Sequence, residues 1–187
     1  MKRVKLVVAY DGTNYCGWQV QKNGETIESV LNRAIGELTG EEIHVMGSSR
    51  TDAGVHACGN VAVFDTEARM AADKFSYALN QRLPEDIRIQ DSCEVPADFH
   101  PRSQKTVKTY EYRILNREFP LPAYRFNSHF TYRKLDVERM RQAAAYLIGE
   151  HDFQSFCAAG AQVKTTVRTI YALDVEKQGD LIILRIT

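Results

Sequence analysis

An alternation of strand-like and helix-like patterns, which occurs twice, constrains the fold of this chain most strongly. Residues 4–10 carry apolar side chains at every second position, the period of a strand with a buried face. The next apolar stripe has the spacing of an amphipathic helix and consists of Ile27, Val30, Leu31, Ala34, Ile35 and Leu38. A similar succession begins near residue 107. The repetition predicts an α+β fold with two halves, residues 1–100 and 101–187.

Capping and turn signals set the bounds of the predicted elements. Thr26 can cap the first helix, and Gly40 can end it because glycine adopts a left-handed backbone conformation without strain. The first half further contains predicted strands at 43–46, 59–65, 87–90 and 93–99, and a helix at 73–83. The second half contains a predicted strand at 107–115, a helix after Asp136, and a hairpin of 170–175 and 181–186 around Gly179.

Size and composition indicate a globular protein. The chain has 187 residues, 44% apolar and 26% charged, which is enough to bury a core without metal ions or disulfides. It contains no uninterrupted apolar run of about 18 residues, as a membrane span would need, and its first residues lack a signal-peptide core. The four cysteines form no CxxC pair, which argues against zinc and against a secreted disulfide framework. These features predict a cytoplasmic protein.

The charged residues are unevenly distributed, although the formal net charge of the chain is zero. Counting Lys and Arg against Asp and Glu gives a net charge of −4 for residues 1–97, +5 for 98–141 and −1 for 142–187. The positive segment is a candidate for contact with an anionic partner such as a nucleic acid. A solvated charged face is the alternative interpretation of the same pattern.

A polar loop, residues 47–56, lies between two predicted strands. Loops that a rigid scaffold holds often carry functional residues. Asp52 within it is followed by Ala and Gly, a sequence that also favours a tight turn, so this aspartate alone would suggest a structural role. The longer string around Asp52 is what points to chemistry.

Residues 50–57, with the sequence RTDAGVHA, resemble the signature of the TruA family of tRNA pseudouridine synthases. Other segments resemble the same family, at 10–13, 15–19, 79–80, 83–87, 99–102, 108–113, 149–153, 155–156 and 167–170. The resemblance therefore extends over almost the whole chain. It implies conversion of uridine to pseudouridine at positions thirty-eight, thirty-nine or forty in the anticodon stem-loop of tRNA, without metal or cofactor.

Asp52 matches the catalytic aspartate of that family and is predicted as the nucleophile. The base must be detached from the ribose, rotated and rejoined through carbon, so a nucleophile or an ion-pair stabiliser is needed beside the sugar. The resemblance leaves three routes open, namely attack at C1′, attack at C6 of uracil, and a glycal route.

Two further residues are predicted at the reaction centre. Arg50 can keep Asp52 ionised through a charge-assisted hydrogen bond and can contact RNA phosphate. Tyr110 matches the family's active-site tyrosine, whose ring can stack on the base and whose hydroxyl can assist proton transfer at carbon. A solvated surface arginine and a tyrosine packed in the core are the structural alternatives.

A uridine inside a stem must be flipped out of the helix to reach a carboxylate, at a cost of a few kcal/mol. Basic residues can offset this cost through phosphate contacts, and the positive segment supplies Arg102, Lys105 and Lys108, together with Arg113, Arg125 and Arg133. His56 follows Asp52 by four residues, but the resemblance gives it no catalytic role, and packing is expected. Trp18 is expected to fill the space beneath the loop rather than stack on RNA.

The resemblance also implies an architecture. Two ferredoxin-like α+β halves would share an extended, mainly antiparallel sheet, with helices on one face and a central active-site cleft, in a homodimer. The family continues beyond the position of Thr187 with a strand and a helix whose arginine pairs with the catalytic aspartate. We therefore expect this chain to lack the family's C-terminal portion.

Two alternative functions fit parts of the sequence. A non-catalytic RNA-binding module would use strand aromatics such as Tyr110 and Tyr112 as a stacking platform beside basic residues. This alternative applies if the 187 residues are the whole protein. A hydrolase would use Asp52 together with His56 and would release free uracil, whereas a synthase would not.

Overall fold

The chain divides into two compact units, Met1–Lys105 and Thr106–Thr187. A computed structural model describes residues 1–157 and 165–187. The fold is mixed α/β, and its strands pair mainly in an antiparallel manner. None of the helices in the described part of the chain is long and apolar enough to cross a membrane.

The first unit contains four strands and two α-helices. In chain order they are β1 (Lys2–Tyr10), α1 (Ile27–Thr39), β2 (Met46–Gly47), β3 (Ala57–Thr66), α2 (Phe75–Asn80) and β4 (Ile87–Val95). The strands form one antiparallel sheet in the order β2-β3-β1-β4. The polar loop predicted to carry chemistry therefore connects the edge strand β2 to the inner strand β3.

Helix α1 begins and ends where the sequence predicts. The Thr26 hydroxyl accepts the Ser29 N–H, and the Ser29 hydroxyl oxygen accepts the Thr26 N–H, so both orphan donors are satisfied. Gly40 ends the helix in a left-handed conformation, with φ at 74°. The predicted apolar stripe is buried from Ile27 to Ile35.

The core of the first unit lies between its sheet and its helices. Val4, Leu6 and Val8 of β1 are fully buried, as the alternation predicts. Phe64 of β3 packs edge-on against Phe75 of α2, with ring centroids 5.2 Å apart. Burial of each such side chain stabilises the folded state by about 1.5–3 kcal/mol. The core thus fixes the strands from which the polar loop projects.

The strand β4 is continuous, whereas the sequence pattern predicts two separate strands at 87–90 and 93–99. The cause is a bulge: Val8 pairs with Ile89 and Val7 with Asp91, so Gln90 has no partner on β1. The extra residue shifts the alternation, and buried positions change from Ile87 and Ile89 to Ser92. Because the alternation shifts at the bulge, the sequence pattern predicted two strands where the structure has one. The strand predicted at 43–46 is also shorter, since only Met46 and Gly47 pair.

Residues 106–157 and 165–187 of the second unit form six strands and one α-helix. They are β5 (Tyr110–Asn116), β6 (His129–Thr131), α3 (Val137–Ala145), β7 (Gly149–Asp152), β8 (Val167–Ile170), β9 (Leu173–Gln178) and β10 (Leu181–Ile186). One sheet has the order β6-β5-β10-β9, in which only the short pairing of β5 with β6 is parallel. The strands β7 and β8 form a second, two-stranded sheet.

Helix α3 packs on the larger sheet of the second unit. Asp136 caps it as predicted, accepting the N–H groups of Glu138 and Arg139. Ala144 of the helix and Val175 and Ile182 of the sheet form the buried centre.

Two predictions for the second unit need correction. The strand predicted from residue 107 begins at Tyr110, and Ile170 belongs to β8 rather than to the predicted hairpin, because it pairs with Gly149. The hairpin itself joins β9 to β10 around Gly179, with φ at 61°. The described strands form three sheets, and the single extended sheet and the ferredoxin-like halves stay predictions.

Candidate active site

The polar loop places Asp52 at the start of a tight turn. The Val55 N–H donates to the Asp52 carbonyl at 3.2 Å, and Gly54 adopts a left-handed conformation with φ at 79°. The side chain of Asp52 is exposed to solvent. An exposed carboxylate on a closed turn is accessible to a substrate.

The segment between β1 and α1 holds one side of this loop. The backbone N–H of Trp18 donates to the Thr51 carbonyl at 3.0 Å, and the backbone N–H of Gly54 donates to the Tyr15 carbonyl at 3.4 Å. Gly17 has φ at 86°, and a Cβ on this residue would lie 2.5 Å from the Thr51 carbonyl oxygen. Only glycine allows so close an approach of the two backbones.

Trp18 fills the space beneath the start of the loop, as predicted. It is 1% exposed, and a Cβ on Gly47 would lie 2.4 Å from its indole ring. The ring also packs against Tyr10, with centroids 5.9 Å apart. A side chain so deeply buried cannot stack on RNA in this conformation.

A buried polar cluster supports the loop from the sheet side, and the sequence analysis did not find it. Tyr10 at the end of β1 hydrogen-bonds with the Thr51 hydroxyl at 2.9 Å. Asn60 of β3 accepts from the Ser48 hydroxyl and donates to the Ser49 carbonyl, each at 3.0 Å. Burial raises the pKa of the Tyr10 phenol, and hydrogen bonds with the Thr51 and Asn60 side chains partly oppose this effect. The signal in the sequence was a polar residue, Asn60, directly before the apolar residues 61–64 of β3.

His56 takes part in packing at the end of the loop. Its Nδ1 lies 3.1 Å from the Gly12 nitrogen, which donates to it, and 3.0 Å from Asp11 Oδ1. The two contacts require different protonation states of Nδ1, because it accepts in the first and donates in the second. The Thr13 hydroxyl, which donates to Asp11 at 2.5 Å, is the main cause of a lowered pKa of the Asp11 carboxyl. These contacts are consistent with a structural role for His56.

Asp86 in the loop before β4 supports the segment between β1 and α1. It accepts from the Tyr15 hydroxyl at 2.6 Å, and its carbonyl accepts the Asp11 N–H at 2.9 Å. Burial and, second, the hydrogen bond to Asp86 raise the pKa of the Tyr15 phenol. The motif segments at 10–19, 47–56 and 83–87 are therefore neighbours in space.

Three of the predicted site residues besides Asp52 belong to the first unit. Arg102 donates from Nε to the Gly47 carbonyl at 2.9 Å, which holds it at the base of the loop. Arg50 is exposed and forms no ion pair with Asp52 within the described part of the chain. The predicted hydrogen bond between them is thus not present. An ion pair between two exposed side chains contributes little stability, so little energy favours this pairing in water. Lys105 is exposed to solvent.

Two predicted site residues belong to the second unit. Tyr110 is the first residue of β5, pairs in register with Ile186 and is 59% exposed. Lys108 precedes the strand and is also exposed. Tyr112, two residues further, is 54% exposed, and its ring stacks against His129 with centroids 6.5 Å apart. Tyr110 is therefore available for contact with a ligand rather than packed in the core of its unit.

No group of three or more His, Cys, Asp or Glu side chains that could hold a metal ion occurs in residues 1–157 and 165–187. Whether the reaction needs a metal ion does not follow from this finding, and the prediction that it needs none stays a prediction.

Comparison with known proteins identifies relatives over most of the chain. A family model described as tRNA pseudouridine synthase matches residues 6–102 and 143–187. The tRNA pseudouridine synthase A of Acetivibrio thermocellus is 47% identical over 182 residues, covering 97% of this chain and 75% of the relative. That of Thermoanaerobacter sp. is 48% identical over 187 residues, covering 100% and 76%. The tRNA pseudouridine synthase A 2 of Clostridium perfringens is 47% identical, covering 97% and 75%. The chain belongs to the TruA family of tRNA pseudouridine synthases, as its motifs predict.

Proposed function

We propose that this protein isomerises uridine to pseudouridine at positions thirty-eight, thirty-nine or forty of tRNA, with Asp52 as the nucleophile. The bond from N1 of uracil to C1′ of the ribose breaks, a bond from C5 to C1′ forms, and the proton at C5 is lost while N1 gains one. Substrate and product are isomers, so the enzyme is an intramolecular transferase. The observation that carries the proposal is an exposed Asp52 carboxylate on a turn whose backbone is held on both sides.

The roles of the neighbouring residues follow from their chemistry. Asp52 supplies the negative charge needed beside the sugar by any of the three routes, through C1′, C6 or a glycal. Arg50, two residues away, carries a positive charge that can meet the RNA phosphate and strengthen the ionised form of Asp52 once water is excluded. Tyr110 presents an exposed ring that can stack on the flipped base, and its hydroxyl can move the proton at C5.

Basic residues offset the cost of flipping the uridine. Arg102 uses Nε on the Gly47 carbonyl, and its two terminal guanidinium nitrogens have no hydrogen-bond partner among residues 1–157 and 165–187. These nitrogens can bind phosphate beside the loop. Lys105 and Lys108 are exposed in the positive segment and can add further phosphate contacts, which position the RNA without reading its sequence.

The proposal includes an architecture of two ferredoxin-like halves, at 1–100 and 101–187, which share a sheet, form a central cleft and assemble as a cytoplasmic homodimer. The order of elements in the first unit supports the first half. It is β-α-β-β-α-β with the sheet order β2-β3-β1-β4, in which all neighbouring strands are antiparallel. This succession is that of a ferredoxin-like unit.

The experiment that tests the proposal uses three anticodon stem-loops, each with uridine at one of the three positions only. Parent and Asp52→Ala are incubated with each RNA under single-turnover conditions, and pseudouridine and free uracil are measured. We expect pseudouridine with the parent alone, no uracil, and nearly equal RNA affinity of both proteins. Asp91→Ala, which removes an exposed carboxylate on β4, is the matched control and should retain the parent rate. Free uracil that depends on Asp52 and His56 would indicate the hydrolase instead.

A second candidate function, RNA binding without catalysis, is supported by one observation. Tyr110 and Tyr112 lie two residues apart on β5, and each is more than half exposed, which suits base stacking. A pure binder would lose affinity upon Tyr110→Ala and would be indifferent to Asp52→Ala. The same RNAs, with affinity measured for both variants, distinguish the two functions.

A further inference from the structure

A cluster of part-buried hydrogen bonds lies beneath the loop that carries Asp52, and the proposed chemistry assigns it no role. We call Tyr10, Thr51 and Asn60 the anchor cluster. Tyr10 is 5% and Asn60 is 7% exposed, Thr51 is half-buried, and the hydrogen bonds that these residues form are partly shielded from water. Polar groups in such places cost stability unless they are hydrogen-bonded, and a satisfied network favours one conformation.

The anchor cluster holds the loop at two places ahead of Asp52. Asn60 bonds the Ser48 hydroxyl and the Ser49 carbonyl, both at 3.0 Å, and so fixes the start of the loop to β3. The Tyr10 hydroxyl bonds Thr51 Oγ1 at 2.9 Å, which fixes the residue next to Asp52 to the end of β1.

Thr51 is held from the opposite side as well. Its carbonyl accepts the Trp18 N–H at 3.0 Å, so a side-chain bond and a backbone bond act on the same residue. Asp52 follows directly and closes a turn with Val55 through its carbonyl. Its carboxylate forms no hydrogen bond or ion pair with any residue that the structure describes. The backbone is fixed, whereas the reactive group is left for a substrate.

We propose that Tyr10, Thr51 and Asn60 are positioning residues, which hold the backbone from which Asp52 meets the flipped uridine. This inference rests on the proposed role of Asp52 as the nucleophile. Its physical basis is preorganisation, because displacement of a reacting group by about 1 Å can lower the rate about 100-fold. Strand β2 ends at Gly47 and β3 begins at Ala57, so the loop between them depends on such side-chain bonds for its geometry.

Two conservative variants test the inference. Tyr10→Phe and Thr51→Val each remove one hydroxyl and leave the shape of the side chain nearly unchanged. We expect the single-turnover rate on the anticodon stem-loop to fall about 10- to 100-fold for each, with the Kd for the RNA unchanged. The double variant should be no slower than the slower single variant, since both remove the same bond. Thr51→Ser retains the hydroxyl and should restore the rate.

Thr66→Val is the matched control. The Thr66 hydroxyl is also buried, and it donates to Glu41 at 2.6 Å, at the end of β3 opposite to the loop. We expect this variant to unfold at a lower temperature than the parent and to retain the parent rate. Parent rates for Tyr10→Phe and Thr51→Val, as for this control, would overturn the positioning inference and leave the role of Asp52 intact.

Asp52→Ala in the same series separates the inference from the function on which it rests. Loss of conversion in this variant alone would leave Asp52 as the nucleophile and overturn the anchor cluster. Parent activity in Asp52→Ala would overturn the proposed function itself. Hydrogen exchange of the amides at 50–55 gives a measurement that does not depend on turnover. We expect faster exchange in Tyr10→Phe and not in Thr66→Val, and equal exchange in the two would contradict the inference.

Discussion

Asp52 combines an exposed carboxylate with a backbone that neighbouring residues hold in place. The adjoining residue Thr51 is bonded through its hydroxyl to Tyr10 and through its carbonyl to Trp18. Gly17 makes the second contact possible, because its positive φ and missing side chain let the two backbones meet. The position of Asp52 therefore depends on Gly17, which allows the close approach, and on Tyr10 and Trp18, which supply the hydrogen bonds.

Gly17→Ala should disturb the loop more than a substitution that strains the backbone alone. The new Cβ would lie 2.5 Å from the Thr51 carbonyl oxygen in addition to the strain of φ at 86°. We expect a loss of stability of about 2–4 kcal/mol and a slower reaction. Gly40→Ala is the control, with φ at 74° and no atom within 4 Å of the added Cβ, and should cost only about 1 kcal/mol. Urea denaturation measures both, and equal losses would contradict the role of the close contact.

The raised pKa of the Tyr15 phenol predicts alkaline sensitivity. The ordinary pKa of the group is 10.0, and burial and the hydrogen bond to Asp86 raise it in the folded state. Between the two pKa values the unfolded chain has lost a proton that the folded chain retains, so the free energy of unfolding falls as pH rises above 10.0. Tyr15→Phe should reduce this slope in denaturation measured from pH 9 upward, with Tyr10 accounting for part of the remainder. An unchanged slope would contradict the assignment.

The candidate site could be predicted from the sequence only where the motif is contiguous. The string around Asp52 was sufficient to single out this residue, and Trp18 was correctly predicted as buried. The bond between Tyr10 and Thr51 joins residues 41 positions apart, and no local pattern indicates such a pair. Arg50 and Asp52 are close in sequence and yet form no ion pair, because proximity in sequence does not fix the direction of two exposed side chains.

At the scale of elements, the first helix links the core to the site. Its cap, Thr26, is fully buried, and the Ile27 N–H donates to the Gly17 carbonyl at 3.1 Å. The start of the helix and the loop around Asp52 are therefore both hydrogen-bonded to the segment between β1 and α1. The bounds of α1 follow from local signals, a cap, an apolar stripe and a terminal glycine, and were predicted correctly. The bulge in β4 was not, because its register depends on pairing with β1.

Thr26→Ala should weaken the start of α1. The substitution removes the acceptor for the Ser29 N–H, and loss of such a cap costs about 0.5–2 kcal/mol. Thr39→Ala, in the last turn of the same helix, removes a hydroxyl that donates to the Ile35 carbonyl and accepts the Glu41 N–H at 3.3 Å. It should cost less, because the carbonyl also accepts within the helix and the second hydrogen bond is long. Thermal denaturation of both variants measures the difference. A larger loss for Thr39→Ala would contradict the capping account.

At the scale of the whole molecule, a protein with zero net charge is proposed to bind a polyanion. Residues 98–141 carry a net charge of +5, and this segment can attract the polyanion although the whole chain is neutral. The chain divides into two compact units, Met1–Lys105 and Thr106–Thr187, and the strand order in the second of them could not be predicted. Its parallel pairing of β5 with β6 depends on a long connection whose path local periodicity does not indicate.

The salt dependence of tRNA binding tests the charge distribution. Lys105→Gln and Lys108→Gln should each lower the slope of log K against log salt concentration by about 1, the effect of one lost phosphate contact. Lys177→Gln removes an exposed lysine on β9, outside the positive segment, and should leave the slope unchanged. Equal slopes for all three variants would contradict a localised RNA contact.

The carboxylate at Asp52 is the central claim, and Asp52→Asn tests it most directly. This substitution keeps the size and the hydrogen-bonding shape of the side chain and removes its charge. Single-turnover conversion of uridine in an unmodified tRNA anticodon stem-loop is measured for the parent and the variant, together with the Kd of each for the RNA. We predict conversion by the parent, none by Asp52→Asn, and similar affinities. Conversion by Asp52→Asn at the parent rate would contradict the account.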